Sequence, residues 1–342
     1  MVHAVTPLSE IELPQLRQGQ PTPLTTGYSN HSNERVREVR GRTAVNELPI
    51  VVTCTDRKTS PPSPDLQART LPAAQLSARA VEWTRRLHAA PGPRVPLEGL
   101  YQGDHWRRVH ALKDAAVRAG FVPRLYVASA GLGLRPVSSP APSYAATFLP
   151  RHADSVASSV SQAADWWDHL QVEDESCDIS RIAASAGQAL LVLSETYAQA
   201  MYRDLVKLAT TGSDILLIGG ARDLDGVTRI PADASLRHAL GGTLTSLNVR
   251  MATSWLEYCT SGCLITSNAQ VSWRAWAAQS ARPERYSRTP MTDEAVVSFI
   301  KEMKALYPDS SRTGLLRLLR DKGMACEQKR FADLYASTIG HR

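Results

Sequence analysis

The residues best suited to chemistry lie where apolar runs give way to polar ones. Residues 48–53 read Leu-Pro-Ile-Val-Val-Thr and lead straight into Cys54, Thr55, Asp56, Arg57, Lys58, Thr59 and Ser60. Hydroxyl residues, one acid and two bases at the carboxyl end of a strand suit a phosphate or sugar site. The stretch has neither the glycines nor the Gly-Lys-Ser/Thr ending of a Walker loop, and an ordinary polar turn has the same composition. A second exit follows the apolar run 125–128. It passes through Ser129, Gly131 and Gly133 into about 15 proline-rich residues, the length of loop that is usually functional or disordered. A third candidate segment begins at the Gly241-Gly242 turn. Beyond it Leu244, Leu247, Met251 and Trp255 share a helical face, and Asn248 sits at its edge. An amide there needs partners, either core groups or a substrate.

Elements of definite type must position these residues. Strands are expected at 48–53, 125–128, 190–193 and 214–218, all central and buried, from their short apolar runs between turn signals. Helices are expected over 73–90, from Asp104 as N-cap through Arg118, and over 150–171, 182–189 and 194–208, with Thr243 capping one more. The helix after Asp104 displays Arg107, Arg108, Lys113 and Arg118, and its N-terminus suits an anion. Strands separated by helices imply an α/β fold: a mostly parallel central sheet with helices on both faces. The expected organisation is a poorly ordered arm at 1–46, an α/β domain at 47–288 and a three-helix module at 289–342. The module reads as helices at 292–306, 311–322 and 326–337, a pattern shared by helix-turn-helix units and other small helical modules. Arg312, Arg317, Arg320, Lys322, Lys329 and Arg330 crowd its last two helices.

Composition narrows the class. The net charge of +6 and pI near 9.1 favour an anionic partner without requiring nucleic acid. Five scattered cysteines fit a reducing cytoplasm. Cys259 and Cys263 are four apart, but without a nearby His or Cys pair they make a poor metal site, and no metal or other cofactor is expected. No signal-like N-terminus or membrane-length apolar segment is apparent, so the expectation is a cytoplasmic protein without membrane contact.

Several of these segments together resemble a known group. Thr53-Cys-Thr-Asp-Arg-Lys58, Leu100-Tyr101-x-Gly-x-x-Trp-Arg107, Ser129-Ala-x-Leu-Gly-Leu134 and Pro142-Ser-Tyr144-x-x-Thr147-Phe are similar to the YaaA-like group. That group is related to the uracil-DNA-glycosylase-like part of archaeosine synthase. Gly241-Gly-Thr-x-x-Ser-Leu-Asn248-x-Arg250 resembles a later segment of its bacterial members. The resemblance spans about residues 48–258 and is closest to the phage-defence DNA glycosylases of the Brig type. It implies a uracil-DNA-glycosylase-like fold. It also implies an enzyme that removes a modified base, glucosylated hydroxymethylcytosine in that group, from phage DNA and leaves an abasic site. The Gly-x-Asp-Pro-Tyr and His-Pro-Ser motifs of uracil glycosylases are absent, so the resemblance bears on fold more than on catalytic positions.

On that reading Asp56 stabilises the oxocarbenium-like sugar or activates water, and Asn248 orients water or reads the base. Tyr144 stacks on the extruded base. Ser129, Gly131, Gly133, Thr147 and Tyr101 line the substrate site. Lys58, Arg107, Arg108, Arg250, Arg312 and Arg317 hold DNA, and Lys58 becomes a Schiff-base nucleophile if its pKa is lowered. Two other classes stay open: a non-catalytic DNA-binding stress or regulatory protein, and a tRNA base-exchange enzyme. The oligomeric state is open as well.

Overall fold

Short apolar runs and amphipathic segments alternate along the chain, and the secondary structure follows them. The protein is seen in a computed structural model that describes residues 46–171, 177–259, 262–282 and 289–340. The arm expected at 1–46 lies, apart from Asn46, outside the described residues. The first half comprises β1 (Glu47–Thr53), α1 (Leu76–Ala89), β2 (Val95–Pro96), α2 (Leu97–Leu100), α3 (Asp104–Arg118), β3 (Val122–Ser129), β4 (Gly133–Pro136), β5 (Pro140–Ala141) and α4 (Val160–Gln171). It continues through α5 (Ile179–Ala186), β6 (Gln188–Leu193), α6 (Glu195–Ala200), α7 (Tyr202–Ala209), β7 (Asp214–Gly219), β8 (Thr228–Ile230), α8 (Arg237–Leu240), α9 (Leu247–Leu256) and α10 (Ser267–Ser280). The last segment holds β9 (Thr289–Pro290), α11 (Asp293–Leu306), α12 (Arg312–Asp321), β10 (Met324–Ala325) and α13 (Gln328–Ile339).

The fold is α/β, built on a six-stranded, mostly parallel sheet in the order β4-β3-β1-β6-β7-β8. β1 runs parallel to both β3 and β6, with Val51 opposite Tyr126 on one side and Leu191 on the other. Leu48, Ile50, Val51 and Val52 of β1 and Ala189 to Leu193 of β6 are buried. Strands covered on both faces need such unbroken apolar runs. The order steps one way from β1 to β3 and the other way from β1 to β6 and β7. Right-handed crossovers then place helices on both faces. α3 packs on β3 and α9, and α9 packs on β6 and β7. α4 packs on β4, α1 and α6, while α5 meets β1, β6 and α7. Among the described residues no helix is long and apolar enough to cross a membrane.

Several expectations need correction. The proline-rich stretch after Ser129 is not a free loop: β4 pairs antiparallel with β3, placing Pro136 opposite Tyr126. Proline is tolerated there because β4 is the sheet's edge and needs no further ladder donor. Of the four expected strand centres Ile50, Val192 and Leu216 are buried, but Tyr126 is half-exposed, next to that edge. The helix expected at 182–189 ends at Ala186, because Gly187 takes a left-handed φ of 74° and β6 begins at Gln188. The helix expected at 194–208 is broken at Met201 into α6 and α7. Only the second half of 150–171 is helical. The N-cap of α3 is Gly103, not Asp104, whose carboxylate turns to α9. Thr243 makes no side-chain cap, and Leu244 is exposed in a 3₁₀ turn before α9.

The apolar side chains form two clusters. The smaller joins Val296, Ile300 and Met303 of α11, Leu315 and Leu319 of α12, and Phe331 of α13. These three helices keep close to their expected limits because each starts on a side-chain cap. Thr292 Oγ1 accepts from the Ala295 amide at 3.3 Å, and Ser311 Oγ from Gly314 at 3.1 Å. The Glu327 carboxylate accepts from the amides of Lys329 and Arg330 at 3.0 and 2.9 Å.

Candidate functional site

The candidate site forms where the exits of β1, β3 and β6 meet. Open α/β sheets bind ligands at the carboxyl ends of strands where the strand order reverses, and the reversal here is at β1. The chain beyond β1 is pinned against the segment preceding α3. The Thr59 amide donates to Leu100 O at 2.9 Å, the Gln102 amide to Arg57 O at 3.0 Å, and Gln102 Nε2 to Lys58 O at 2.5 Å. This turns Lys58 inward. Its Nζ donates to the carbonyls of Thr55 and Asp56 at 3.3 Å each. It lies 4.4 Å from the centroid of the Tyr144 ring and 5.7 Å from that of Tyr101. Burial pushes the Lys58 ammonium below its usual range, while Cys54 and Asp56 act in the opposite direction.

Behind Lys58 runs a chain of hydroxyl groups. Ser129 Oγ and Tyr144 Oη are 2.5 Å apart, as are Tyr144 Oη and Tyr101 Oη. Ser129 Oγ also accepts from the amides of Gly131 (3.0 Å) and Leu132 (3.2 Å). A serine oxygen has two lone pairs and one proton. With both pairs engaged, Ser129 donates to Tyr144, and one of the two buried phenols donates to the other. Burial raises the pKa of Tyr101 and Tyr144 well above the usual tyrosine range, so both phenols act as donors at neutral pH. Tyr197, on α6, is raised for the same reason and meets Cys54 Sγ at 3.1 Å.

His105, at the start of α3, sits between two carbonyls: Nε2 is 3.0 Å from Thr53 O and Nδ1 is 3.1 Å from Thr245 O. Burial lowers its pKa. A neutral imidazole has one N–H to share between those carbonyls, whereas the protonated ring serves both. The ring ties the end of β1 to the turn before α9. Beside it Asp104 bonds Arg250 at 3.2 Å, and its carboxyl is held low by the Ser246 hydroxyl and then by Arg250.

The structure brings only some of the sequence candidates together. Lys58, Tyr101, Ser129 and Tyr144 form one cluster, and Asp56 is exposed on the same loop. Gly131 backs the cluster, since a Cβ there would meet the Tyr144 ring at 2.5 Å. Tyr144 is not a face open to a base: Lys58 covers it, Gly131 crowds it, and Trp83 meets it edge-on at 6.4 Å between centroids. Asn248 is a brace. Its Nδ2 donates to Leu193 O at 2.9 Å, holding the end of β6 beside Gly219 of β7. Gly133 opens β4 at a φ of 71°, and Thr147 Oγ1 accepts from the Leu149 amide at 3.0 Å, so both shape the backbone.

Arg250 is not an open cation: its guanidinium bonds Leu240 O, Ser246 Oγ and Asp104. Arg107 and Arg108 are exposed, at a loose 3.8 Å from Asp104. Arg57 lies against Gly103 at the start of α3, while Arg312 and Arg317 are exposed on α12. His105 and Tyr197 are site residues that no sequence motif singles out, and Cys54 lies within the Thr53–Lys58 motif without a role assigned to it there. The signal for His105 is its place beside Asp104, and that for Tyr197 its place just beyond a strand's carboxyl end. Among the described residues, no group of three or more His, Cys, Asp or Glu side chains is placed to hold a metal ion.

Comparison with known proteins adds no identity: no protein-family model, no curated protein and no solved structure matches the chain.

Proposed function

We propose that the protein is a DNA N-glycosylase that removes a modified base, such as glucosylated hydroxymethylcytosine in phage DNA, and leaves an abasic site. The observation that carries this reading is the pairing of a desolvated ammonium, Lys58, with the hydroxyl chain of Tyr101, Tyr144 and Ser129 at the sheet's strand-order reversal. In such a cleavage the C1′–N bond breaks and its electron pair leaves with the base. Negative charge develops on the base and positive charge on the sugar. A cation beside the sugar would oppose the reaction, so Lys58 belongs with the departing base or with a phosphate. The Tyr101 O–H donates to the same base. The exposed Asp56 carboxylate takes the sugar side, accepting a proton from the water that attacks C1′. Asn248 keeps its bracing role and takes no part in bond cleavage.

Arg57, Arg107 and Arg108 at the mouth suit the flanking phosphates. The C-terminal module supplies further affinity as a helix-turn-helix unit, with α13 as the reading helix. Between residues 289 and 340 it carries eight Lys and Arg against seven Asp and Glu. Its attraction for DNA therefore rests on how charge is distributed, with Arg312, Arg317, Arg320 and Lys322 gathered at α12, and not on net charge. The decisive measurement is mass spectrometry of bases released from phage DNA with modified cytosine, beside unmodified DNA. Release of the modified base, with alkali-sensitive sites left in the strand, is expected. Tight DNA binding with no release would favour a non-catalytic binding protein. Insertion of a new base into tRNA would favour base exchange.

A further inference from the structure

On the far side of α6 from Cys54 lies a concavity. Tyr197 of this helix meets Cys54 at 3.1 Å, whereas Glu195, Ala198 and Gln199 line a cavity of about 490 Å³ together with α4, α7, β7 and the chain after β7. That volume falls within the roughly 300–1,000 Å³ of small-molecule sites. Its place outside the carboxyl ends of β6 and β7 is one where α/β sheets bind ligands. The lining is mostly apolar, with Ala164, Ala198 and Ala221 beside Leu205, Leu217 and Leu224. Tyr202 supplies an aromatic wall, and the Arg222 guanidinium lies 3.9 Å from the centroid of its ring.

The charges at the rim narrow the ligand. Arg203 is committed to Asp165 and Asp168. Arg222 is exposed and, among the described residues, neither it nor Glu195 has an ion-pair partner. Glu195 is joined only by Gln199, whose Nε2 donates to it at 3.3 Å. The cavity therefore offers a guanidinium stacked on Tyr202 and free of ion pairs, a carboxylate–amide pair able to accept and donate, and an apolar lining.

We infer that this cavity binds a nucleotide. The base lies over the apolar lining beside Tyr202, Glu195 and Gln199 meet the N–H and C=O groups of its edge, and Arg222 holds the phosphate. Nucleotide chemistry can come from a free mononucleotide or from a residue of a DNA strand, and the test separates the two. The inference does not depend on the proposed glycosylase activity, because the test reads binding alone.

The experiment is titration calorimetry on the full chain with each deoxynucleoside monophosphate, a short single-stranded oligonucleotide, inorganic phosphate and tryptophan. The variants are Arg222→Ala, which removes the phosphate partner, and Ala221→Phe, which fills the cavity from a partly exposed loop position. Thermal melting checks that both fold. Saturable binding of a mononucleotide, weakened about tenfold or more by Arg222→Ala and abolished by Ala221→Phe, is expected for a free-nucleotide site. Binding of the oligonucleotide alone, weakened by both variants, assigns the site to a strand. The inference is overturned if nucleotide and oligonucleotide binding is absent or unchanged in both folded variants, or if phosphate or tryptophan binds as tightly as any nucleotide.

Discussion

Tyr101 ends the hydroxyl chain that begins at Ser129, and as the proposed donor to the departing base it is the residue whose chemistry is easiest to isolate. Tyr101→Phe keeps the ring beneath Lys58 and deletes the hydroxyl. It should lower base release by about a hundredfold, the scale for losing one directed donor to developing charge, and cost about 1–3 kcal/mol of stability because Tyr144 loses its buried partner. An unchanged rate in the folded variant would exclude Tyr101 as the donor. Lys58 is tested through pH. Burial depresses its pKa, so the ammonium is lost on the alkaline side below the usual 10.5. Activity should fall there, and Lys58→Arg should move that limb upward if the residue acts as a charge. A borohydride-trapped adduct between the parent protein and DNA with a preformed abasic site would instead make Lys58 a nucleophile.

His105 gives a stability prediction of definite sign. Its folded pKa lies below the usual 6.5, so between those two values the unfolded chain binds a proton that the folded protein does not. Stability therefore rises with pH across that window and is lost on acidification below 6.5. His105→Gln should show a shallower dependence of melting temperature on pH over that range. An identical slope would mean that other groups dominate.

At the scale of elements, the ends of β6 and β7 are held by a glycine and an amide acting together. Gly219 has a φ of 91°, and a Cβ there would run into Leu193 O and the Asn248 side chain. Gly219→Ala should cost more than about 2 kcal/mol, since strain and collision add. Asn248→Ala should cost about 1 kcal/mol, because Leu193 O still accepts the Gly220 amide at 3.0 Å. Denaturant unfolding measures both. If Asn248 only braces, base release by the folded Asn248→Ala variant should stay within a few-fold of the parent. A hundredfold loss would return it to the chemistry.

For the whole molecule, the question is how the two hydrophobic clusters divide the work. The larger holds the sheet and the candidate site, and the smaller holds three capped helices with a basic α12. If α12 meets the DNA backbone, the double variant Arg312→Ser with Arg317→Ser should flatten the plot of log affinity against log salt. The slope should shrink by about 0.9 for each phosphate that is no longer neutralised. Both side chains are exposed on α12, so stability should hold. An unchanged salt slope would remove that helix from the DNA interface.

Features carried by local pattern were legible before any fold was known. Apolar runs at 48–53, 190–193 and 214–218 could be little else than buried strands, and Thr292 and Ser311 marked helix starts because a side-chain oxygen satisfies free amides nearby in the chain. Tertiary structure decided everything that depended on neighbours distant in the chain. Pro136 hid an edge strand that only pairing with β3 reveals. Asn248 and Arg250 had the chemistry of site residues, and partners more than fifty residues away also give them bracing bonds, Asn248 Nδ2 to Leu193 O and Arg250 to Asp104. Tyr144 has a ring suited to stacking, but Lys58 and Gly131 enclose it. A side chain's type states which bonds it can make; its spatial neighbours decide which remain available to a substrate.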